Sequence, residues 1–259
     1  MRRAIGLISL GIASLLVVPG TAAAGGGASI AAAPAVAYGQ QEFGNTATDG
    51  GTNPGSLSLE QQCSQTGDNG WWNLPVVAGD AVTIDWEAPA ESYAMVFPVG
   101  TTDFNVLGEQ AVTHEMVSGN GKAALWFRAT VSGTMPLVIG AGGCTSTITG
   151  PYSFTASVKH EVRLSIPHRR VLPLRGTVAV HISTPEGQPV SDSALQVLVQ
   201  IQSHGHWRSV GSATAAGGVA NVPCTVPADL RGSHASLRAI ARGNAYEPAT
   251  SATVRVRVA

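Results

Sequence analysis

Two acidic residues flank a tryptophan in the stretch AVTIDWE. Asp85 and Glu87 are two positions apart, so on a β-strand their side chains share one face. Two carboxyl groups placed on one face are the catalytic pair of most glycosidases. The same arrangement is also typical of a solvated strand face, and nothing else in the stretch marks a cleft. The pattern therefore favours a soluble outer face and predicts no catalytic residue here.

A histidine pair, His204 and His206, stands beside Trp207. Two imidazoles on one strand face could bind a metal ion. Gly205 between them instead indicates the tip of a hairpin, where exposed histidines are ordinary. Because further ligands are lacking nearby, the sequence predicts no metal site.

The zinc-protease motif HExxH fails twice, because its second histidine is replaced by Ser118 after His114 and by Leu164 after His160. The nucleophile elbow, the phosphate-binding loop with its lysine and the calcium-binding loop are not found either. The sequence therefore predicts no catalytic residues and no cofactor. A site assembled from distant strands stays open.

Tryptophans are the best candidates for ligand binding. The stretch GWWNLPVVAGDAVTIDWE holds three of the five in the chain. Strand parity places Trp72 and Trp86 with apolar neighbours, which predicts core positions. Parity places Trp71 on the opposite face, and places Trp126 with Arg128, which predicts that both tryptophans are at least partly exposed. If Trp71 and Trp126 are exposed, they and Arg128 could bind a sugar; the alternative is cover from loops or from a second domain.

Three cysteines are present. Cys63 and Cys144 fall in one predicted domain, so in an exported protein we expect a disulfide between them. Cys224 alternates with Val222 and Val226, which predicts an inward side chain that behaves as a small hydrophobe. A reactive thiol or an intermolecular disulfide is the alternative.

The N-terminus predicts export. Arg2 and Arg3 precede an uncharged, mostly apolar run at residues 4–18, and small residues follow at 22–24. This is the pattern of a secretory signal peptide over residues 1–24. An uncleaved anchor is the alternative, but the run is shorter than the roughly 20 residues that a spanning helix needs.

Three segments follow the signal peptide. Residues 25–55 are rich in Gly, Ala, Thr and Asn without sustained periodicity, which predicts a flexible low-complexity lead. Residues 56–160 and 161–259 show period-2 alternation broken by turn residues. Each of these two segments is therefore predicted to be a β-sandwich.

Net charge differs between the two halves. From residue 25 to 159 there are 11 acidic and 3 basic residues, a net charge of −8, whereas from 160 to 259 there are 5 acidic and 10 basic residues, a net charge of +5. The basic half could contact an anionic polymer such as wall teichoic acid or nucleic acid. Alternatively, the surface is simply solvated, or the two domains attract each other. The scattering of the arginines along the chain favours this second reading.

Family resemblance agrees with two sandwiches. The strings WWNLPVVAGDAVTI, GTMPLVIG and GPYSFTASV resemble the bacterial pre-peptidase C-terminal domain, with Met135 in place of an aromatic residue. That family implies a non-catalytic β-sandwich attached to secreted enzymes. The strings GQPVSDSALQVLVQ, HWRSVGSATAAGGVANVPCTVPADLRG and GNAYEPATSATVRV resemble bacterial Ig-like domains of surface proteins. That family implies a spacer, adhesion or binding module.

The predicted fold class is therefore all-β, with two β-sandwich domains in tandem, the second immunoglobulin-like. The predicted function is that of a secreted or cell-surface, non-catalytic binding or spacer protein. The expected partners are cell-wall polysaccharide or another secreted protein, with no nucleic acid and no stable membrane span. An accessory component of a secreted hydrolase system is the alternative.

Overall fold

The computed structural model describes residues 25–51, 69–89, 91–106, 109–117, 121–141 and 149–259. The predicted signal peptide at residues 1–24 and the predicted disulfide between Cys63 and Cys144 lie outside these ranges and stay predictions. The described residues form seventeen β-strands and one short α-helix, which confirms the all-β prediction. Within them, no helix is long and apolar enough to cross a membrane.

The described residues of the first sandwich form eight strands. Their bounds are β1 Gln41–Asn45, β2 Asn69–Val76, β3 Ala81–Ala88, β4 Tyr93–Val96, β5 Thr113–Met116, β6 Gly121–Arg128, β7 Gly133–Gly140 and β8 Pro151–Lys159, with the helix α1 at Thr46–Asp49. One antiparallel sheet, here the A sheet, has the order β1-β8-β3-β6, and the other, the B sheet, has the order β2-β7-β4-β5. Eight strands shared in this way between two sheets form a jelly roll.

The core of the first sandwich lies between the A and B sheets. Alternate residues of β3 point inward, so that Val82, Ile84 and Trp86 are buried while Asp85 is exposed. Trp72 enters the same core from β2, and its ring contacts that of Phe154 at 5.1 Å in an edge-to-face arrangement. The predicted core placement of Trp72 and Trp86 is confirmed.

The predicted flexible lead, residues 25–55, is wrong for the described residues 25–51. Strand β1 pairs with β8 along the edge of the A sheet, from Gln41 opposite Thr155 to Asn45 opposite Pro151. Val36 is buried in the core between the sheets. Several of these residues are held by backbone hydrogen bonds to neighbouring strands, and such bonds do not require the side-chain periodicity from which strands are predicted.

The second sandwich contains nine strands. Their bounds are β9 Arg163–Ser165, β10 Val171–Leu172, β11 Arg175–Ser183, β12 Gln196–Ser203, β13 His206–Thr214, β14 Val219–Thr225, β15 His234–Gly243, β16 Tyr246–Thr250 and β17 Val254–Val258. The larger C sheet has the order β10-β17-β15-β12-β13, with β16 also paired to β15, and the D sheet has the order β14-β11-β9.

This topology is immunoglobulin-like, as predicted. Strands β9, β11 and β14 take the places of strands A, B and E in one sheet, and β12, β15 and β17 take those of C, F and G in the other. Cys224 on β14 is buried in the core between these sheets, as its parity predicts. Its thiol donates to the carbonyl of Val222 at 3.4 Å, and burial raises its pKa to about 11.

Candidate functional site

Trp71 is not exposed, and its predicted place in a sugar-binding surface is wrong. It is 0% exposed. Its face is the one that parity predicts, because it points away from the core that holds Trp72. That outer face of the B sheet is covered, however, and Trp71 packs there with Tyr93, Phe97 and Val138 in a second, smaller core.

Two segments of the first domain cover Trp71: the chain before β1, and the loop after β4. Gly27 exchanges two backbone hydrogen bonds with Trp71, and Ile30 completes the small core. The loop after β4 supplies Phe97, whose ring lies 5.7 Å from that of Trp71. The same loop supplies Asp103, whose carboxylate accepts the backbone N–H of Ile30 at 2.7 Å. The segment expected to be flexible is thus what buries the tryptophan.

Trp126 is exposed, as predicted, with 60% of its surface accessible. It lies on β6, directly opposite Thr83 of β3, and Thr83 lies opposite Ser157 of β8. The next row of the same outward face has Ala124, Asp85 and Thr155. The outer face of the A sheet therefore presents one large aromatic ring among small hydroxyl-bearing and acidic side chains.

A shallow depression of about 450 Å³ lies on this outer face. It is lined by Gln41, Asp85, Trp86, Glu87, Lys122, Ala123, Ala124, Ser153, Phe154 and Thr155. Small side chains at Ala124, Ser153 and Thr155 leave the floor low, and Lys122 forms an exposed ion pair with Glu87 at 3.5 Å. We call this depression together with Trp126 and Thr83 the A-sheet face.

The guanidinium of Arg128 is engaged in other contacts and is not free to bind a ligand on the A-sheet face. Its guanidinium reaches the second sandwich, where Nη1 and Nη2 bind both carboxylate oxygens of Glu247, at 3.0 and 2.8 Å. Nη1 also donates to the carboxylate of Glu161 at 3.3 Å and to the carbonyl of Gly79 at 2.8 Å. Arg128 is thus committed to the contact between the two domains, and its predicted role in binding a ligand is not supported.

The β2–β3 turn provides another part of this contact. Gly79 has φ +92°, and a Cβ there would lie 2.6 Å from the ring of Pro185, so both the turn and the close approach require glycine. The neighbouring Asp80 is buried, and its carboxylate lies 2.6 Å from Nδ1 of His160. Hydrogen bonding to Asp80 raises the pKa of His160.

Two more contacts extend this junction. Ser132 donates to the carboxylate of Glu186 at 2.9 Å. The ring of His160 lies 5.7 Å from that of Tyr246, whose hydroxyl donates to Asp192 at 2.8 Å. The local sequence does not indicate this junction, because its partners are far apart in the chain. Gly79 and Asp80 are typical turn residues, but their types do not indicate a contact with the second domain.

His204 and His206 lie at the tip of the hairpin between β12 and β13, as Gly205 predicts. His204 and Gly205 both have positive φ, 48° and 81°, and Ser203 pairs with His206 across the turn. Within the part of the chain that the structure describes, no three His, Cys, Asp or Glu side chains are grouped to hold a metal ion.

Comparison with known proteins adds little. No family model matches the chain, and no curated protein matches it. The two family resemblances seen in the sequence therefore stay predictions.

Two solved structures show distant similarity. One is the periplasmic inhibitor of g-type lysozyme PliG from Aeromonas hydrophila, with 16% identity over 48% of this chain and 94% of that chain and a TM-score of 0.33. The other is the adhesin domain of Epf from Streptococcus pyogenes, with 11% identity over 74% of this chain and 72% of that chain and a TM-score of 0.37. At these scores neither similarity bears on function.

Proposed function

We propose that the protein is an exported, non-catalytic binding protein whose A-sheet face binds a neutral cell-wall polysaccharide. The exposure of Trp126 carries the proposal. Trp126 leaves most of a large apolar ring in contact with water. Tryptophan is enriched at binding surfaces because its ring combines an apolar face with a polar N–H group.

The surroundings of Trp126 fit a sugar. The ring can pack against the C–H face of a pyranose, while hydroxyl groups of the sugar need donors and acceptors at the edge of the contact. Thr83 and Thr155 offer hydroxyls, Asp85 offers a carboxylate and Gln41 an amide. Because the depression between them is shallow and open along the strands, it suits a chain better than a small enclosed ligand.

Charge favours a neutral chain for this face. Residues 25–159 carry a net charge of −8. Asp85 and Glu87 both lie at the depression, and Lys122, the base there, is paired with Glu87. An anionic polymer would be repelled by this domain, whereas a neutral glycan would not.

The absence of catalysis is part of the proposal. Asp85 and Glu87 lie on a regular strand and face solvent. Both side chains are exposed, and the depression beside them is shallow and does not enclose a substrate. The two acidic residues are therefore assigned to hydrogen bonding with the ligand and to solubility.

The test is a sedimentation assay with the mature chain and insoluble wall glycan from which anionic polymers have been removed. We expect the wild type to sediment and Trp126→Ala to bind at least about tenfold more weakly, which corresponds to about 1.4 kcal/mol. Phe104→Ala is the matched control, since Phe104 is a fully exposed aromatic side chain on the loop between β4 and β5. Equal binding by Trp126→Ala and the wild type would refute the proposal.

A further inference from the structure

Four arginines share the outward face of the C sheet. On β15, the residues Arg238 and Arg242 point outward, because Leu237, Ala239 and Ala241 between and beside them are buried. On β17, Arg255 and Arg257 alternate in the same way with buried Val256 and Val258.

These strands are neighbours, and their register places Arg255 and Arg257 beside the first residues of β15. Ser236 lies opposite Arg255, and His234 lies opposite Arg257. Neighbouring strands are about 4.8 Å apart, and two residues along a strand span about 6.6 Å. Along β15 the four arginines therefore lie at the levels of residues 234, 236, 238 and 242, and together with His234 they form one basic stripe about 26 Å long, here the C-sheet basic face.

No acidic side chain neutralises this surface. The outward positions of β12, β13, β15 and β17, all of which the structure describes, include no Asp or Glu. Among the described residues, none of the four arginines forms an ion pair. Of the five acidic residues after residue 160, Glu161, Glu186 and Glu247 contact the first domain, and Asp192 binds Tyr246 beside them.

Arg238 is held in place for binding. Its guanidinium carbon lies 4.1 Å from the centre of the Trp207 ring, a cation–π contact. Its Nε donates to the side-chain carbonyl of Gln200 at 2.9 Å. Within the described chain the two Nη groups have no hydrogen-bond partner, so they are available to a carboxylate or phosphate, which a guanidinium binds with two parallel hydrogen bonds.

We propose that the C-sheet basic face binds an anionic polysaccharide, a glycan chain that carries repeated phosphate or carboxylate groups. Arg238 and Arg242 are four residues apart, about 13 Å along the strand, which a small anion cannot bridge but a chain can. The neutral side chains of Gln200, Gln202 and Ser236 lie on the same face and suit sugar hydroxyls.

The composition of the face favours a glycan over nucleic acid. Surfaces that bind single-stranded nucleic acid present several aromatic rings on which successive bases stack. The outward face of β12, β13, β15 and β17 has one aromatic side chain, Trp207, and Arg238 already covers one side of it. The C-sheet basic face lies in another domain than the A-sheet face and would bind another ligand. This proposal therefore does not depend on the proposed function.

The test compares two charge-matched double variants of the mature chain. Arg242→Gln with Arg255→Gln removes two charges from the basic face. Arg163→Gln with Arg175→Gln removes two exposed charges from strands of the D sheet. Binding is measured against polygalacturonate, a phosphate-bearing wall teichoic acid, neutral dextran and single-stranded DNA.

We expect binding to at least one anionic glycan and not to dextran, with affinity that falls as salt rises. The face variant should bind at least about tenfold more weakly at low salt, and the D-sheet variant should stay within about twofold of the wild type. Arg238→Lys keeps the charge but loses the planar fork, and should weaken binding about threefold or more.

Several results would overturn the inference. Equal losses in the two double variants would mean that net charge alone is at work. Tighter binding of DNA than of both anionic glycans would assign the face to nucleic acid. Failure of both glycans to bind would remove the site. Because Trp126→Ala should leave anionic binding unchanged, and the face variant should still sediment with neutral wall glycan, the two proposals fail separately.

Discussion

The contact between Asp80 and His160 predicts how stability depends on pH. The Asp80 carboxylate is almost fully buried and lies 2.6 Å from Nδ1 of His160; it also accepts the backbone N–H of Val77 at 2.8 Å. The hydrogen bond to Asp80 raises the pKa of His160, against an opposing contribution from burial. An unfolded histidine titrates near pH 6.5, so the folded chain holds this proton to a higher pH than the unfolded chain does.

The sign of the effect follows. A raised folded pKa gives a stabilisation that is complete below about pH 6.5 and is lost as the pH rises through the folded pKa of His160. A hydrogen bond to a charged group contributes about 1.5–3 kcal/mol to stability. Because the side chain of His160 is 38% exposed, solvent screening lowers the expected contribution to about 1–2 kcal/mol.

The variant Asp80→Asn tests this reasoning. Asparagine keeps an acceptor for the Val77 N–H but removes the charge that favours the imidazolium. We expect a loss of about 1–2 kcal/mol near pH 5.5 and a smaller loss near pH 8.5, in urea melts followed by tryptophan fluorescence. Asp229→Asn removes an exposed carboxylate and should leave the melts unchanged at both pH values.

A flat difference between wild type and Asp80→Asn across this pH range would refute the assignment of the proton to His160. His160→Gln should remove the same pH-dependent part, because it deletes the titrating group itself. If His160→Gln keeps the pH dependence of the wild type, another group is responsible.

Three further predictions concern the core and the cysteines. Trp71→Ala and Trp86→Ala should each cost about 3–5 kcal/mol in urea melts, since both rings are buried, and a much smaller cost for Trp71→Ala would mean that the small core is not formed. Cys224 should react slowly with maleimide in the native state, because burial raises its pKa to about 11; rapid labelling would contradict its place in the core. Mass mapping of a non-reduced digest should show Cys63 linked to Cys144, and two free thiols would exclude the bond.

Strand parity predicted which way side chains point, but not what covers them. Trp72, Trp86 and Cys224 lie inside because their strands alternate, and the local sequence contains that alternation. Trp71 also lies on the predicted face. Its burial depends on Gly27 and Phe97, which come from segments 44 and 26 positions away along the chain, and alternation says nothing about contacts at that range.

The arginines illustrate the same limit. The alternation in VRVRV and the four-residue spacing of Arg238 and Arg242 already place each pair on one face of its strand. In the sequence the two pairs look scattered, because the hairpin with β16 separates them. Only the pairing of β15 with β17 brings them onto one surface. The sequence thus predicts the two pairs of arginines, and only the strand order shows that both pairs share one face.

The charged side chains that form the ion pairs of Arg128 at the junction are opposite in sign to the net charge of the domain that each comes from. The acidic first domain contributes a base, Arg128, and the basic second domain contributes the acids Glu161, Glu247 and Glu186. Each domain therefore places charges opposite to its own net sign at the contact. Arg128 offsets only part of the charge of the two glutamates that it binds, and Glu186 accepts from the hydroxyl of Ser132. Three of the five acidic residues of the second domain thus lie at the junction, and Asp192 and Asp229 are the other two. The arginines of the C sheet take no part in these contacts, so their charge remains available to a ligand on the C-sheet basic face.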